Sequence, residues 1–238
     1  MEKPALPEFT SRLSRGQLLA VLLWLPVHVL GFPWLMTALP AAARLTEAEM
    51  NFIVYAAGTL FMLLACGRFL RREFDQLCDH PGTVLLQICL CYAAMLAFNL
   101  AIAGLLSLLL GGEELANPNN AAVLDIAHQD YGKVSAMAIF LAPIVEEMIF
   151  RAGIFGSLRH RSRLLAYLVG MLAFSVYHVW GFALSDPSLW FYVLQYLPVS
   201  YLLCRCYERT NTIWGSIFFH MLVNAVSIRA LTILEELL

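Results

Sequence analysis

Charged residues are scarce in this chain. Asp, Glu, Lys and Arg make up only 13% of its 238 residues, whereas a soluble domain usually carries about 25%. Apolar residues reach 61% and recur in long runs, which excludes a disordered segment, a collagen and an ordinary soluble enzyme. The composition therefore predicts an all-α, polytopic bundle of transmembrane helices that forms a single integral-membrane domain over residues 1–238.

Several functional patterns are also missing from the sequence. The net charge is −2 and no basic stripe is present, so we expect no nucleic-acid partner. The sequence contains neither a CxxC pair nor an HExxH zinc motif. The six cysteines fall outside the long polar loop, and we expect reduced thiols that pack as small apolar side chains.

The apolar runs predict about seven membrane spans, within a range of six to eight. Each run is close to the roughly 20 residues that cross a bilayer core, and we expect the first to be retained rather than removed as a signal peptide. The predicted spans are Leu18–Leu39, Phe52–Leu70, Val84–Leu110, Val134–Leu158, Leu164–Leu184, Leu189–Cys206 and Ile213–Ile233. The one long loop, Gly111–Lys133, is expected to hold a short helix over Ala121–His128.

Basic residues between the spans predict the orientation. With the N-terminus inside, eleven Lys and Arg residues fall in the cytoplasmic segments and two fall outside. Such a bias toward the cytoplasm is typical of membrane proteins. The alternation at every loop supports seven spans with the N-terminus in the cytoplasm.

The fourth predicted span holds two acids and one base. Glu147 and Arg151 lie four residues apart and should form an ion pair on one face of the helix. Glu146 should point about 100° away from Glu147, and Pro143 should kink the helix one turn earlier. Charges inside a span are costly and usually functional, although all three could instead form a purely structural ion-pair network.

Two further spans carry histidine. Phe174 and His178 lie one turn apart in the fifth span, and His220 and Asn224 lie one turn apart in the seventh. Taken alone, these residues could be packing groups or hydrogen-bonding contacts between helices. Their depths, counted at about 1.5 Å per residue, bring them close to Glu146 near the middle of the bilayer, so we expect one buried polar site.

These three motifs together resemble the CPBP (ABI) family of CAAX-protease and bacteriocin-processing intramembrane proteases, which includes the type II CAAX prenyl endopeptidases. The family pattern EExxxR, FxxxH and HxxxN corresponds to residues 146–151, 174–178 and 220–224. The resemblance covers residues 134–230, which would be the catalytic helices. The first three spans match only as generic membrane helices.

The resemblance implies a role for each catalytic residue. Glu146 would activate a water molecule for attack on a peptide carbonyl, and His178 would hold that water or move its proton. His220 and Asn224 would stabilise the oxyanion. No cofactor is required in this scheme. The alternative is a metalloprotease in which Glu146, His178 and His220 bind zinc.

The resemblance also implies supporting residues and a substrate class. Glu147, Arg151 and Phe174 would brace the site. The substrate would be a peptide or a membrane-associated protein. The short loops are more similar to bacterial members, so we expect an integral protein of the bacterial plasma membrane, in contact with lipid and of unassigned oligomeric state.

Two other functions fit the same residues. One is a non-catalytic bacteriocin-immunity or partner membrane protein that keeps the motifs for structure. The other is a proton-coupled transporter, because acids and histidines at the midplane also suit a proton relay. The lack of an internal repeat argues against the transporter.

Overall fold

The computed structural model describes residues 8–40, 42–109 and 117–237, and all regular secondary structure in this part of the chain is helical. Lys3, Leu110 and residues 111–116 of the predicted loop lie outside the described residues. The described helices are α1 Arg15–Ala38, α2 Glu47–Asp79, α3 Pro81–Leu109, α4 Pro118–Gln129, α5 131–159, α6 Arg163–Ser185, α7 Val193–Thr210 and α8 Ile213–Leu237.

Five of the described helices are long and apolar enough to cross a membrane, namely α1, α2, α3, α6 and α8. This confirms a polytopic helical membrane protein, although the predicted count was seven. The other two predicted spans correspond to α5 and α7. Helix α5 carries three charges in its middle, and α7 carries Arg205, Glu208 and Arg209 toward its C-terminal end, so their sequences alone are weak membrane signals. The short loop helix is present as α4.

Side-chain caps define where several helices begin. Ser14 accepts a hydrogen bond from the Gln17 N–H and Thr46 accepts one from the Glu49 N–H, each in a reciprocal capping box. Ser162 caps α6 by accepting a hydrogen bond from the Leu165 N–H, without a reciprocal bond. Because the first N–H groups of a helix have no partner inside the helix, these residues stop α1, α2 and α6 from unravelling at their N-termini.

Polar contacts at one end of the bundle connect the segment before α1 with α2 and α8, and α6 with α7. The Glu73 side chain is fully buried and accepts hydrogen bonds from Ser11 Oγ at 2.6 Å and from the Ile213 N–H at 3.2 Å. Glu208 accepts from Arg163 Nη2 and from the Tyr167 hydroxyl, both at 2.8 Å. We call this the arginine-rich end, since Arg12, Arg15, Arg68, Arg71, Arg72, Arg159, Arg161, Arg163, Arg205 and Arg209 lie in its segments.

The opposite end is joined by amides and one lysine. Asn117 Nδ2 donates to Gln195 Oε1 at 2.7 Å, which ties α4 to α7. Lys133 Nζ lies 2.8 Å from Asp130 and 3.1 Å from Glu49, and its hydrogen bond holds the pKa of Asp130 below the usual value. We call this the amide-rich end. The segments at the two ends are those that the alternating orientation predicts.

Helix α5 is not a regular α-helix. Its turns are widened to π-helical geometry over Met137–Leu141 and Glu147–Phe155. In the first wide turn the Ala142 N–H donates to the Met137 carbonyl, five residues earlier. The next donor in that pattern would be residue 143, which is proline and has no N–H. The predicted kink at Pro143 is therefore a widening of the helix, a feature frequent at functional sites.

Close packing holds α2 against α5 beside the polar site. A Cβ atom added at Gly58 would lie 3.0 Å from Val145 Cγ2 and 3.3 Å from Trp24 Nε1. Val145 is fully buried and immediately precedes Glu146. The six cysteines are all free, and four of them are buried, as expected for small packing residues.

We predict that Gly58→Leu destabilises the protein, because the new side chain would push α2 away from Val145. Overpacking of this kind costs about 1–3 kcal/mol, which should lower the melting temperature in detergent. Gly104→Leu is the matched control, since a Cβ at Gly104 meets nothing within 4 Å. Equal melting temperatures for the two variants would contradict the packing interpretation.

Candidate active site

Two consecutive acids of α5 occupy different environments. Glu146 is 5% exposed and Glu147 is fully buried. Glu147 faces α8 and Arg151, whereas Glu146 faces α2, α6 and a cavity. The sequence expectation that the two carboxylates diverge is confirmed, and the acid without a partner in its own helix is the one that lines the cavity.

The structure brings Glu146 together with both predicted histidines. Its Oε2 atom lies 3.7 Å from His178 Nε2 and 3.9 Å from His220 Nε2. These separations exceed those of direct hydrogen bonds, which are usually 2.7–3.2 Å. The three side chains come from α5, α6 and α8, so the site exists only when these helices pack together.

The second nitrogen of each histidine is held by a hydrogen-bond acceptor. His178 Nδ1 lies 2.9 Å from the Phe174 carbonyl, and His220 Nδ1 lies 2.8 Å from Glu147 Oε1. Because a carbonyl and a carboxylate only accept, both Nδ1 atoms carry hydrogen. Both Nε2 atoms are thereby directed at Glu146, because the hydrogen bond at Nδ1 fixes the orientation of each ring.

Behind the histidines lies a buried cluster of opposite charges. Arg151 Nη1 is 3.2 Å from Glu147 Oε1, and both side chains are fully buried. The Arg151 guanidinium also lies over the Phe174 ring, with its carbon 4.0 Å from the ring centroid, which adds a cation–π attraction. The predicted ion pair is confirmed, and Phe174 contacts both Arg151 and His178.

A hydrogen-bonded pair of tyrosines, one of which binds Glu146, was not predicted. The Tyr55 hydroxyl donates to Glu146 Oε1 at 3.1 Å and lies 3.0 Å from the Tyr177 hydroxyl. His28 lies in the irregular part of α1, and its Nε2 atom is 3.2 Å from the Tyr177 hydroxyl. The available signal was that each hydroxyl lies inside an apolar helix, where a buried tyrosine usually finds a polar partner.

Asn224 lines the same cavity and also makes a hydrogen bond between helices, which the sequence analysis left open as an alternative. Its Nδ2 donates to the Ala138 carbonyl at 2.7 Å. In a wide turn that carbonyl would accept a hydrogen bond from the N–H of residue 143, five residues later. Residue 143 is proline and has no N–H. One N–H of the Asn224 amide therefore stabilises the interrupted backbone of α5, and the amide has a second N–H.

A cavity of about 850 Å³ extends from this site toward the amide-rich end. Its polar lining includes Glu146, His178 and His220 at the inner part, and Glu47 and Asn120 at the outer part. Glu47 and Asn120 are exposed, so the cavity reaches the surface there. Within the described chain, no lining residue comes from the arginine-rich end, so the cavity lies toward the amide-rich end of the bundle.

The three candidate zinc ligands are not drawn together as a metal site in the described chain. Tetrahedral zinc holds nitrogen and oxygen ligands at about 2.0–2.2 Å, which places ligand atoms about 3.3–3.6 Å apart. The corresponding distances from Glu146 to His178 and His220 are 3.7 and 3.9 Å. No group of three His, Cys, Asp or Glu side chains in the described chain is arranged to hold a metal ion. Zinc ligation is therefore not supported.

Comparisons with known proteins agree with the sequence resemblance. The model of the family "Type II CAAX prenyl endopeptidase Rce1-like" matches residues 132–226. The chain is 29% identical over 128 residues to "Putative membrane peptidase YdiL" of Bacillus subtilis, covering 53% of this chain and 48% of that protein. It is 30% identical over 95 residues to "UPF0177 protein YxdF" of Lactococcus lactis, covering 40% and 48%.

The chain thus spans about half the length of the curated relatives that it matches. No solved structure matches it significantly. The matched family segment runs from the start of α5 to the middle of α8 and contains all three motifs. Tyr55 and His28 lie outside that segment.

We predict that Arg151→Leu destabilises the fold, because it leaves the Glu147 carboxylate buried without a countercharge. Breaking a buried ion pair in this way costs about 3–5 kcal/mol. The measurement is the thermal unfolding of purified protein in detergent. Arg229→Leu, at an exposed position of α8, is the control, and equal losses in both variants would contradict the role of the buried pair.

Proposed function

We propose that this chain is an intramembrane endopeptidase that hydrolyses a peptide bond of a peptide or membrane-associated substrate, because residues 132–226 match the model of the Rce1-like type II CAAX prenyl endopeptidase family. The observation that supports this proposal best is the approach of Glu146 Oε2 to the Nε2 atoms of His178 and His220. An acid and two oriented imidazoles at the inner part of a cavity are the groups that peptide hydrolysis needs.

Glu146 acts as the general base in this proposal. A water molecule between its Oε2 and His178 Nε2 gives up a proton to the carboxylate as its oxygen attacks the substrate carbonyl. Glu146 then passes this proton to the amide nitrogen as the C–N bond breaks, which releases a carboxylic acid and an amine. His178 holds the water through Nε2, while its Nδ1 stays bound to the Phe174 carbonyl. Tyr55 fixes the other carboxylate oxygen, so the lone pair of Oε2 remains directed at the water.

His220 and Asn224 stabilise the oxyanion. A hydrogen on His220 Nε2 and the second N–H of Asn224 are the donors. Because His220 Nδ1 already donates to Glu147, a second donation from Nε2 requires the imidazolium form of this ring. Donors of this kind act strongly in a site from which bulk water is excluded.

The remaining motif residues position this machinery. Glu147 binds His220 Nδ1, Arg151 compensates the charge of Glu147, and Phe174 covers the guanidinium of Arg151.

The reaction as proposed requires no metal ion and no other cofactor. A bacterial plasma membrane is the proposed location, and the substrate enters from the amide-rich end or from the lipid.

We predict that Glu146→Gln and His220→Ala each abolish cleavage without unfolding the protein. The peptides of membranes containing wild-type protein, either variant or the control Asp75→Asn are compared by mass spectrometry. Asp75 is exposed on α2 and lies outside the site. Cleavage products that appear only with wild type and Asp75→Asn support the peptidase, and they should persist when a zinc chelator is added.

The other outcomes identify the alternative functions. If both site variants retain full biological activity, the non-catalytic immunity or partner protein is favoured. If sealed vesicles show substrate flux without any peptide product, the proton-coupled transporter is favoured. Loss of cleavage with chelator, restored by zinc, would contradict the metal-free mechanism.

The proposal includes seven spans with the N-terminus in the cytoplasm, which places the amide-rich end and the cavity opening outside. We therefore predict that right-side-out vesicles cleave an added peptide identified in the previous experiment, whereas inverted vesicles do so only after detergent is added. The reverse pattern would contradict the orientation. Absence of cleavage in detergent would contradict the peptidase itself.

A further inference from the structure

A second cavity, of about 1380 Å³, lies at the arginine-rich end, away from the candidate active site. It is bounded by the segment before α1, the start of α1, the last part of α2 and the end of α5. Its lining has two chemically distinct parts. The basic part consists of Arg12, Arg15, Arg68, Arg72, His160 and Arg161.

We propose that this cavity binds the phosphate group of an anionic phospholipid. None of its described lining residues is acidic. Only Arg72 among the lining arginines has a carboxylate partner within the described chain, Glu73 at 2.9 Å. Arginine suits a phosphate because its planar guanidinium can donate two parallel hydrogen bonds to phosphate oxygens.

The neighbouring arginines provide an internal comparison. Arg159 and Arg163, at the same end, both form ion pairs with Glu208, and neither lines the cavity. Arg68 and Arg161 line the cavity, and neither pairs with a described carboxylate. Four arginines that line the cavity, Arg12, Arg15, Arg68 and Arg161, therefore have no carboxylate partner among the described residues.

Local contacts hold the basic wall in place. Arg72 Nη2 donates to the Arg12 carbonyl at 2.9 Å, and the reciprocal capping box of Ser14 and Gln17 fixes the start of α1. His160 Nε2 lies 3.3 Å from the Ser11 carbonyl. The segment that carries Arg12 and Arg15 is thus attached to α2 and α5 instead of extending freely into solvent.

The second part of the lining is apolar and favours a lipid over a free phosphate ion. It includes Leu18, Leu64 and Ala65, and the side chain of Leu64 is 78% exposed on the outer surface of the bundle. A Cβ added at Gly16 or Gly67 would meet nothing within 4 Å, so both glycines leave the cavity open. A ligand with a phosphate and acyl chains matches both parts, and basic pockets between membrane helices are known lipid-headgroup sites.

The test measures binding and thermal stabilisation of the full-length protein in a neutral detergent. Phosphatidylglycerol, phosphatidylcholine and inorganic phosphate are added separately. We expect phosphatidylglycerol to raise the melting temperature and to remain bound in native mass spectrometry, and the other two to do neither. The double variant Arg68→Gln/Arg161→Gln should bind phosphatidylglycerol at least about tenfold more weakly.

Two controls keep the interpretation specific. Arg44→Gln/Arg229→Gln removes the same number of exposed arginines outside the cavity and should bind phosphatidylglycerol like wild type. Gly67→Leu should fill the cavity and weaken binding, whereas Gly104→Leu should not. Equal stabilisation by the two lipids, an equal effect of inorganic phosphate, or unchanged binding by the double variant and Gly67→Leu would overturn the proposal.

Discussion

The contact of Glu147 with both Arg151 and His220 is the interaction on which the rest of the site depends. Charges in the interior of a membrane protein are costly unless they are paired, and here one carboxylate is contacted by a guanidinium at 3.2 Å and an imidazole at 2.8 Å. That arrangement joins α5 to α8. It also orients the His220 ring. Because Nδ1 is bound to Glu147, Nε2 on the other side of the ring faces Glu146.

The irregular backbone of α5 makes this arrangement possible. Wide turns before and within the EExxxR motif change the directions of successive side chains from those of a regular helix. Pro143 leaves the Ala138 carbonyl without its expected backbone donor, and Asn224 supplies a side-chain donor from α8. A residue of the third motif therefore supports the backbone that presents the first motif, so the motifs are structurally as well as chemically linked.

The two ends of the bundle differ in chemistry. The amide-rich end opens into the cavity that contains Glu146, whereas the arginine-rich end is closed to that cavity and joined by buried carboxylates such as Glu73 and Glu208. Under the two proposals, substrate hydrolysis and lipid binding would therefore use different surfaces. The same arginines that predict the orientation can thus also bind lipid without approaching the site.

The sequence by itself determined the class of the protein, the positions of most helices and the identity of the polar residues that converge. Long apolar runs and a few charges within them suffice for these predictions, because lipid penalises isolated polar groups so strongly. The i, i+4 spacing predicted the Glu147–Arg151 pair, since that contact lies within one helix. Helices α5 and α7 were harder to classify, because their charges weaken the hydrophobic signal.

Only the tertiary structure decided how the site is completed. The contacts of Glu146 with Tyr55, and of Tyr177 with His28, join residues far apart in the chain, and spacing within a single helix contains no information about them. The widened turns of α5 depend on a donor from α8, so local propensity could not predict them. The cavity opens at one end because of how the helix ends pack, and this packing is a property of the whole bundle.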